Sequence, residues 1–221
     1  MQKLVIFDLD GTLIDTVSLF ISSISSVLET MGQPVPEERV IRSISGLGFQ
    51  IGLRRIAPGL EESRIDELIS LYQREVLSRT KISRQEELFT GALDALHNLH
   101  GRDDFVMAVA TGKAAASTNR VLDFHQVKGL FTSIHTPDTN LAKPNPDMIF
   151  NAMNIVDVAP ERTVMIGDTT HDMEMARNAG VHALGVTWGY HEPDELEAAG
   201  AHLIIDEMDQ LIGAIEQLNG A

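Results

Sequence analysis

LVIFDLDGTLIDT, residues 4–16, opens as a short apolar run and ends in two carboxylates and a glycine. An apolar run of this length, closed by Asp and Gly, predicts a buried strand over 4–9 followed by a turn. Residues two apart at a strand end point the same way, which puts Asp8 and Asp10 on one side. Two close carboxylates repel each other, so such a pair holds a cation or divides acid and base roles. Gly11 permits a tight turn that lets backbone groups approach a ligand. A bare Asp-x-Asp-Gly is equally a surface turn, so the rest of the chain must decide.

Beyond residue 90 the same texture returns. Apolar runs at 105–110, 132–135, 163–166, 183–186 and 203–205 read as strands. Between them lie helical stretches at about 90–100, 114–124, 146–154, 171–179 and 193–199, with one more at the end. Thr90 is the expected cap of the first, Pro146 the expected first residue of the third, and Gly180 the stop of the fourth. Strands alternating with helices of about ten residues define an α/β fold, a Rossmann-like doubly wound parallel sheet.

One stretch breaks this rhythm. Residues 13–31 have helical spacing and stop at Gly32-Gln33-Pro34. Helices follow near 37–44, 49–56 and 61–79, the last with Ile65, Leu68, Ile69, Tyr72 and Val76 at amphipathic spacing. The reading is an inserted all-helical domain at 16–84, set into a core of 1–15 and 85–221, with hinges at 13–17 and 83–90. Ser45-Gly46-Leu47-Gly48 is a flexible break inside the insert, suited to closing over a site.

Composition narrows the function. Seventeen Lys+Arg against 32 Asp+Glu give a net charge of −15. That surface repels nucleic acid and anionic membranes. Cysteine is absent, which excludes disulfides, Cys-based metal sites and a Cys nucleophile. No apolar run reaches the ~18 residues of a membrane span. The N-terminal apolar run is short and broken by Asp8 and Asp10, unlike a signal peptide. The expectation is a cytoplasmic protein, a monomer or homodimer, acting on a small molecule.

In parallel sheets, sites gather at the carboxyl ends of the strands. Asp8 and Asp10, Thr111 and Gly112, and Asp168 and Asp172 all fall at such ends, and Lys143 lies in a strand-to-helix loop. Each alone has a plain structural reading: Thr111-Gly112 as a strand end, Lys143 as a solvated lysine, Asp168 and Asp172 as helix-capping residues. His171 has no required role, and Trp188, Tyr190 and His191 read as packing or loop residues.

Taken together, FDLDGTLIDT at 7–16, ATG at 110–112, KPNP at 143–146 and IGDTTHD at 166–172 resemble the four ordered motifs of the haloacid dehalogenase-like hydrolases. The insert resembles that family's small helical cap, and GVTWGYHEPDEL at 185–196 is similar to its phosphoglycolate phosphatase-like branch. The resemblance implies Asp8 as nucleophile, forming an aspartyl-phosphate, and Asp10 as general acid and base. It implies Mg²⁺ held by Asp8, the Asp10 carbonyl and Asp168. Thr111, Gly112 and Lys143 would bind the phosphoryl group, and Asp172 would orient Lys143 or a metal-bound water.

The implied activity is Mg²⁺-dependent hydrolysis of a small phosphorylated metabolite, with phosphoglycolate as the leading candidate. Pyrophosphate hydrolysis, a sugar phosphomutase and a non-catalytic binding protein are the rivals. Asp10 argues against a dehalogenase. A phosphonatase needs a cap lysine, and Lys81 alone lies within the insert, near its far hinge. Arg39, Arg42, Arg54 and Arg55 are the insert's candidates for gripping a substrate carboxylate.

Overall fold

The computed structural model describes residues 2–47, 49–83 and 86–219. Gly48 of the expected flexible break lies outside these, as do residues 84 and 85 of the expected second hinge. The Lys81 side chain also falls outside the described set.

The central element is strand β1 (Lys3–Phe7). Its chain positions Leu4 to Phe7 are fully buried, as expected of a strand covered on both faces. It continues into β2 (Ile14–Asp15), then α1 (Val17–Thr30), α2 (Glu38–Arg42), α3 (Phe49–Ile56) and α4 (Glu62–Ser83). After β3 (Glu87–Leu88) come α5 (Ala92–His100), β4 (Phe105–Ala110), α6 (Ala115–Phe124) and β5 (Ser133–His135). Then α7 (Asp147–Val156), β6 (Thr163–Gly167), α8 (Thr170–Ala179) and β7 (His182–Val186) follow. The chain closes with α9 (Pro193–Ala199), β8 (Leu203–Ile205) and α10 (Leu211–Asn219).

Six strands form one parallel sheet in the order β5-β4-β1-β6-β7-β8. Strand alternation sends neighbours to opposite faces. Val5 and Phe7 pack with Val109, Leu96 of α5 and Ile215 of α10 on one side. Leu4 and Ile6 pack with Met165, Ile149 of α7 and Met173 of α8 on the other. From β1 the chain winds outward through β4 to β5 on one flank and through β6 to β8 on the other. The reversal falls between β1 and β6, and open parallel sheets bind ligands in the crevice at such a point.

Helices α1 to α4 carry an apolar cluster of their own, built on Ile24, Leu28, Ile41, Leu53 and Leu68. The helix expected from residue 13 starts only at 17. Ile14 and Asp15 are instead paired antiparallel with Leu88 and Glu87. This two-stranded ribbon clasps the chain where it leaves the sheet and where it returns. Two-residue strands have no periodicity to read, so these are invisible in the sequence. Thr90 does not cap α5: Gly91, at φ 87°, holds that position, with no side-chain capping bond. Pro146 is the N-cap of α7, one place before the helical position expected.

Ile6 sits on the central strand with no exposed surface. Ile6→Ala should lower the unfolding free energy by about 2–5 kcal/mol, the range for an aliphatic side chain truncated in a packed core. Urea unfolding measures it, and a loss below about 1 kcal/mol would contradict the packing described.

Candidate active site

The C-terminal ends of β1 and β6 meet at the reversal of the sheet. Asp8 leaves β1 with its amide donating to the Ile166 carbonyl on β6 at 2.8 Å. Asp168 leaves β6 one residue after its end. Both are buried, at 2% and 0% exposure. Lys143, from the loop before α7, reaches Asp8 with its side chain wholly buried. Its Nζ lies 2.7 Å from Asp8 Oδ1 and donates to Asp172 Oδ1 at 2.6 Å.

Each carboxylate is held by local structure. Asp172 is the third residue of α8 and accepts from the Thr169 amide and hydroxyl, at 3.1 and 2.7 Å, in a capping box. Asp168 accepts from the Thr12 hydroxyl at 2.7 Å and the Tyr190 amide at 2.8 Å. Gly11, at φ 86°, and Gly189 lie so close that a Cβ on either would collide with the Asp168 side chain. The glycine at 11 therefore serves two needs, a left-handed backbone and close approach to Asp168.

The charges do not balance. Asp8, Asp168 and Asp172 bring ligand oxygens within 4.8 Å of one another, and one ammonium faces them. Burial pushes the Asp8 carboxyl up to about 7; Asp172 adds to the rise and Lys143 opposes it. Burial likewise drives Asp168 well above the usual carboxylate range, with Asp8 and Asp172 adding to it. Burial alone would lower Lys143, but Asp172 and Asp8 outweigh it and hold the ammonium charged. Buried carboxylate oxygens in excess over cations are the donor set of a hard divalent cation.

Asp10 stands further out. Gly11 donates its amide to the Ile14 carbonyl at 2.8 Å, closing the turn after Asp10. Both Asp10 carboxylate oxygens accept from Lys113 Nζ, at 2.9 and 3.1 Å. Lys113 also lies 3.1 Å from Glu86, and Glu86 pairs with Arg120 at 2.6 Å. Thr111 is buried beside them at the end of β4, and its hydroxyl accepts from the Lys113 amide at 3.1 Å.

A cavity of about 450 Å³ opens onto these groups, with Asp8, Asp10, Thr111 and Gly112 at its base. The insert forms its roof. Gly46 lies over Thr169, where a Cβ would meet the hydroxyl at 2.7 Å. A Cβ on Gly112 would sit 3.0 and 3.1 Å from the Gly46 and Leu47 carbonyl oxygens. The loop at 45–47 is thus seated on the strand ends.

The structure brings Asp8, Asp10, Thr111, Gly112, Lys143, Asp168 and Asp172 to one edge of the sheet. It does not bring the insert's arginines there. Arg39 pairs with Glu37, Arg54 pairs with Glu62, and Arg55 is exposed. Arg42 bonds Glu38 and donates to the Gly189 and Tyr190 carbonyls. None of the four lines the cavity. Arg39, Arg42 and Arg54 are engaged by neighbouring carboxylates and carbonyls, and the expected grip on a substrate carboxylate finds no support in this arrangement.

Sequence reasoning assigns no role to Thr12, Lys113, Glu86 and Arg120, and takes Tyr190 as a packing or loop residue. Thr12 lies inside the first quoted motif and Lys113 directly follows the second, so both could have been found there. Glu86 and Arg120 carry no local signal. Tyr190 both lines the cavity and bonds Thr16, with 3.2 Å between the hydroxyl oxygens. Trp188 donates its indole N–H to the Thr12 carbonyl, and His191 accepts from the Thr170 amide. His171 is buried on α8.

A buried carboxylate at the end of the first strand, a fixed lysine and a second acidic strand end lie together at one edge of a Rossmann-like sheet. The family model for haloacid dehalogenase-like hydrolases matches residues 5–186, and the chain belongs to that family. It is 35% identical over 220 residues to "Probable phosphatase IndB" of Dickeya dadantii, covering 99% of this chain and 95% of that one. It is 30% identical to a phosphoglycolate phosphatase of Pseudomonas putida, over 96% of this chain and 79% of the relative. A haloacid dehalogenase-like hydrolase from Streptococcus pneumoniae superposes with a TM-score of 0.81 at 25% identity, covering 96% and 98% of the two chains.

Lys143→Met would leave three buried carboxylates without a cation. In metal-free buffer it should cost about 3–5 kcal/mol of stability, the range for breaking a buried ion pair by removing one partner. Urea unfolding beside the wild type checks this; an unchanged midpoint would show the lysine to be dispensable to the fold.

Proposed function

We propose that this chain is a phosphatase that hydrolyses the phosphate monoester of a small metabolite through an aspartyl-phosphate on Asp8. The observation that carries this reading is the buried Asp8–Lys143–Asp172 chain beside Asp168, opening into a roofed cavity. Asp8 Oδ attacks phosphorus, and the bond to the leaving oxygen breaks. Asp10 gives that oxygen a proton. Asp10 then takes a proton from the attacking water as the Asp8–phosphorus bond breaks and phosphate is released.

Lys143 holds Asp8 in place and offsets the negative charge that gathers on the phosphoryl oxygens. Asp172 fixes the lysine. The Thr111 hydroxyl and Gly112 amide donate to the phosphoryl group. The Asp8 and Asp168 carboxylates, with the Asp10 carbonyl, would hold Mg²⁺. Such an ion supplies charge neutralisation where an anionic nucleophile meets an anionic ester. The seated loop at 45–47 excludes bulk water from the leaving group.

The net charge of −15 and the small enclosed site favour a small-molecule substrate over nucleic acid or membrane. Phosphoglycolate is the reference substrate, because the Pseudomonas putida relative is named for it.

Asp8→Asn should lower phosphate release from any accepted monoester by more than about 10³-fold, as expected when the attacking group of a concerted set is lost. Retention of most of the activity would overturn the nucleophile assignment. Independently of turnover, Mg²⁺ should raise the melting temperature of the wild type, since a ligand bound only by the native state stabilises it, by about 2.7 kcal/mol at a hundredfold excess over Kd. Asp168→Ala should abolish that rise; a rise of equal size in the variant would remove Asp168 from the ligand set.

A further inference from the structure

The cavity over Asp8 is built for something other than a small acid. We infer that the leaving group is uncharged and carries a ring, so that the substrate class is a neutral cyclic or aromatic alcohol esterified to phosphate. This rests on the phosphatase reading above and names the substrate class of that same site.

Three observations carry it. The first is size. A volume of about 450 Å³ falls within the roughly 300–1,000 Å³ range of pockets that enclose drug-sized ligands. Phosphoglycolate, a two-carbon acid phosphate, is far smaller than such a ligand and would leave much of the roof uncontacted. Empty apolar space forfeits contacts on one side of every lining group.

The second is the nature of the roof. Leu19, Phe20, Phe49, Tyr72 and Val76 line it, all from α1, α3 and α4. The aromatic rings are already locked together. Phe20 meets Tyr72 and Tyr190 edge-on, at centroid distances of 6.1 and 5.5 Å, and Phe49 lies 4.4 Å from Tyr72. Rigid aromatic faces bind a flat apolar partner with little ordering cost.

The third is charge. A cation is the strongest partner for a substrate carboxylate, and the described cations that line the cavity are Lys113 and Arg120. Both are committed: Lys113 to Asp10 and Glu86, Arg120 to Glu86. Drawing Arg120 onto a substrate carboxylate would strip Glu86 of a partner, and Glu86 is 5% exposed. Leaving a buried charge unpaired is costly. A carboxylate in the cavity would also face the Asp10 and Glu86 carboxylates. A neutral leaving group avoids both costs, and its hydroxyl or N–H groups find acceptors in Glu86 and in Gln73, which also lines the wall.

The test compares benzyl phosphate with phosphoglycolate, both esters of primary alcohols, by kcat/KM for phosphate release with Mg²⁺ present. Benzyl phosphate should exceed phosphoglycolate by tenfold or more. Val76→Phe, which fills the roof without touching the reacting groups, should reduce that ratio by about tenfold, and Phe20→Ala should reduce it in the same direction. Phosphoglycolate as the better substrate would overturn the inference and leave the phosphatase reading standing. A ratio that neither variant moves would overturn the role of the roof. No phosphate release from either ester, nor from acetyl phosphate as a small activated control, would overturn the phosphatase reading and the inference with it.

Discussion

The site depends on one buried ammonium. Lys143 lies among three carboxylates with no contact to water, and it is the only protein cation within that cluster's hydrogen bonds and ion pairs among the described residues. Burying charge is unfavourable unless geometry and hydrogen bonding compensate. Here the compensation is distributed. Asp172 is fixed by the capping box of α8, and Asp168 by Thr12 and the Tyr190 amide. Asp8 is fixed by its amide on β6. The sheet order contributes to this arrangement, because neighbouring β1 and β6 set Asp8 and Asp168 side by side at their ends.

The insert is tied to that cluster by backbone contacts. Gly46 rests on Thr169, whose hydroxyl is bonded to Asp172. Arg42 donates to the carbonyls of Gly189 and Tyr190, and the Tyr190 amide holds Asp168. Lys113 links Asp10 to Glu86, next to the β3 strand that returns the chain from the insert. The seated roof and the acidic edge therefore share partners. Whatever lifts the roof disturbs the groups that hold Asp168 and Asp10, a physical route by which closure and chemistry are coupled.

The core of this arrangement was legible in the sequence because its signals are local. An apolar run ending in Asp-Leu-Asp-Gly announces both a strand and its exit, and Gly167-Asp168 repeats the pattern on β6. The alternation of strands and helices gave the parallel sheet. What escaped was non-local or too short for periodicity. The β2–β3 clasp joins residues more than seventy positions apart through two pairs. Glu86 and Arg120 matter only because folding brings them to Lys113. The arginines of the insert show a further point: a charge on a helix near a site is often satisfied by a nearby carboxylate, as with Arg54 on Glu62 and Arg42 on Glu38.

The roof is hard to read for a different reason. Tyr72 and Val76 recur at the spacing of a buried helix face, and Phe20 packs against partly buried neighbours of the insert's own cluster. A residue that lines a ligand cavity and one that fills a core obey the same rule, since both are apolar and face inward. The distinction lies in what stands opposite. For Leu28 and Leu68 the opposite wall is protein, and the space is filled. For Phe20, Tyr72 and Val76 it is Asp8, Asp10 and Thr111 across open volume. The strand ends thus carry the chemistry, which motif spacing reports. The insert sets what can occupy the remaining space, and only the folded chain reports that. This is why shared motifs fix the reaction more tightly than they fix the molecule on which it is performed.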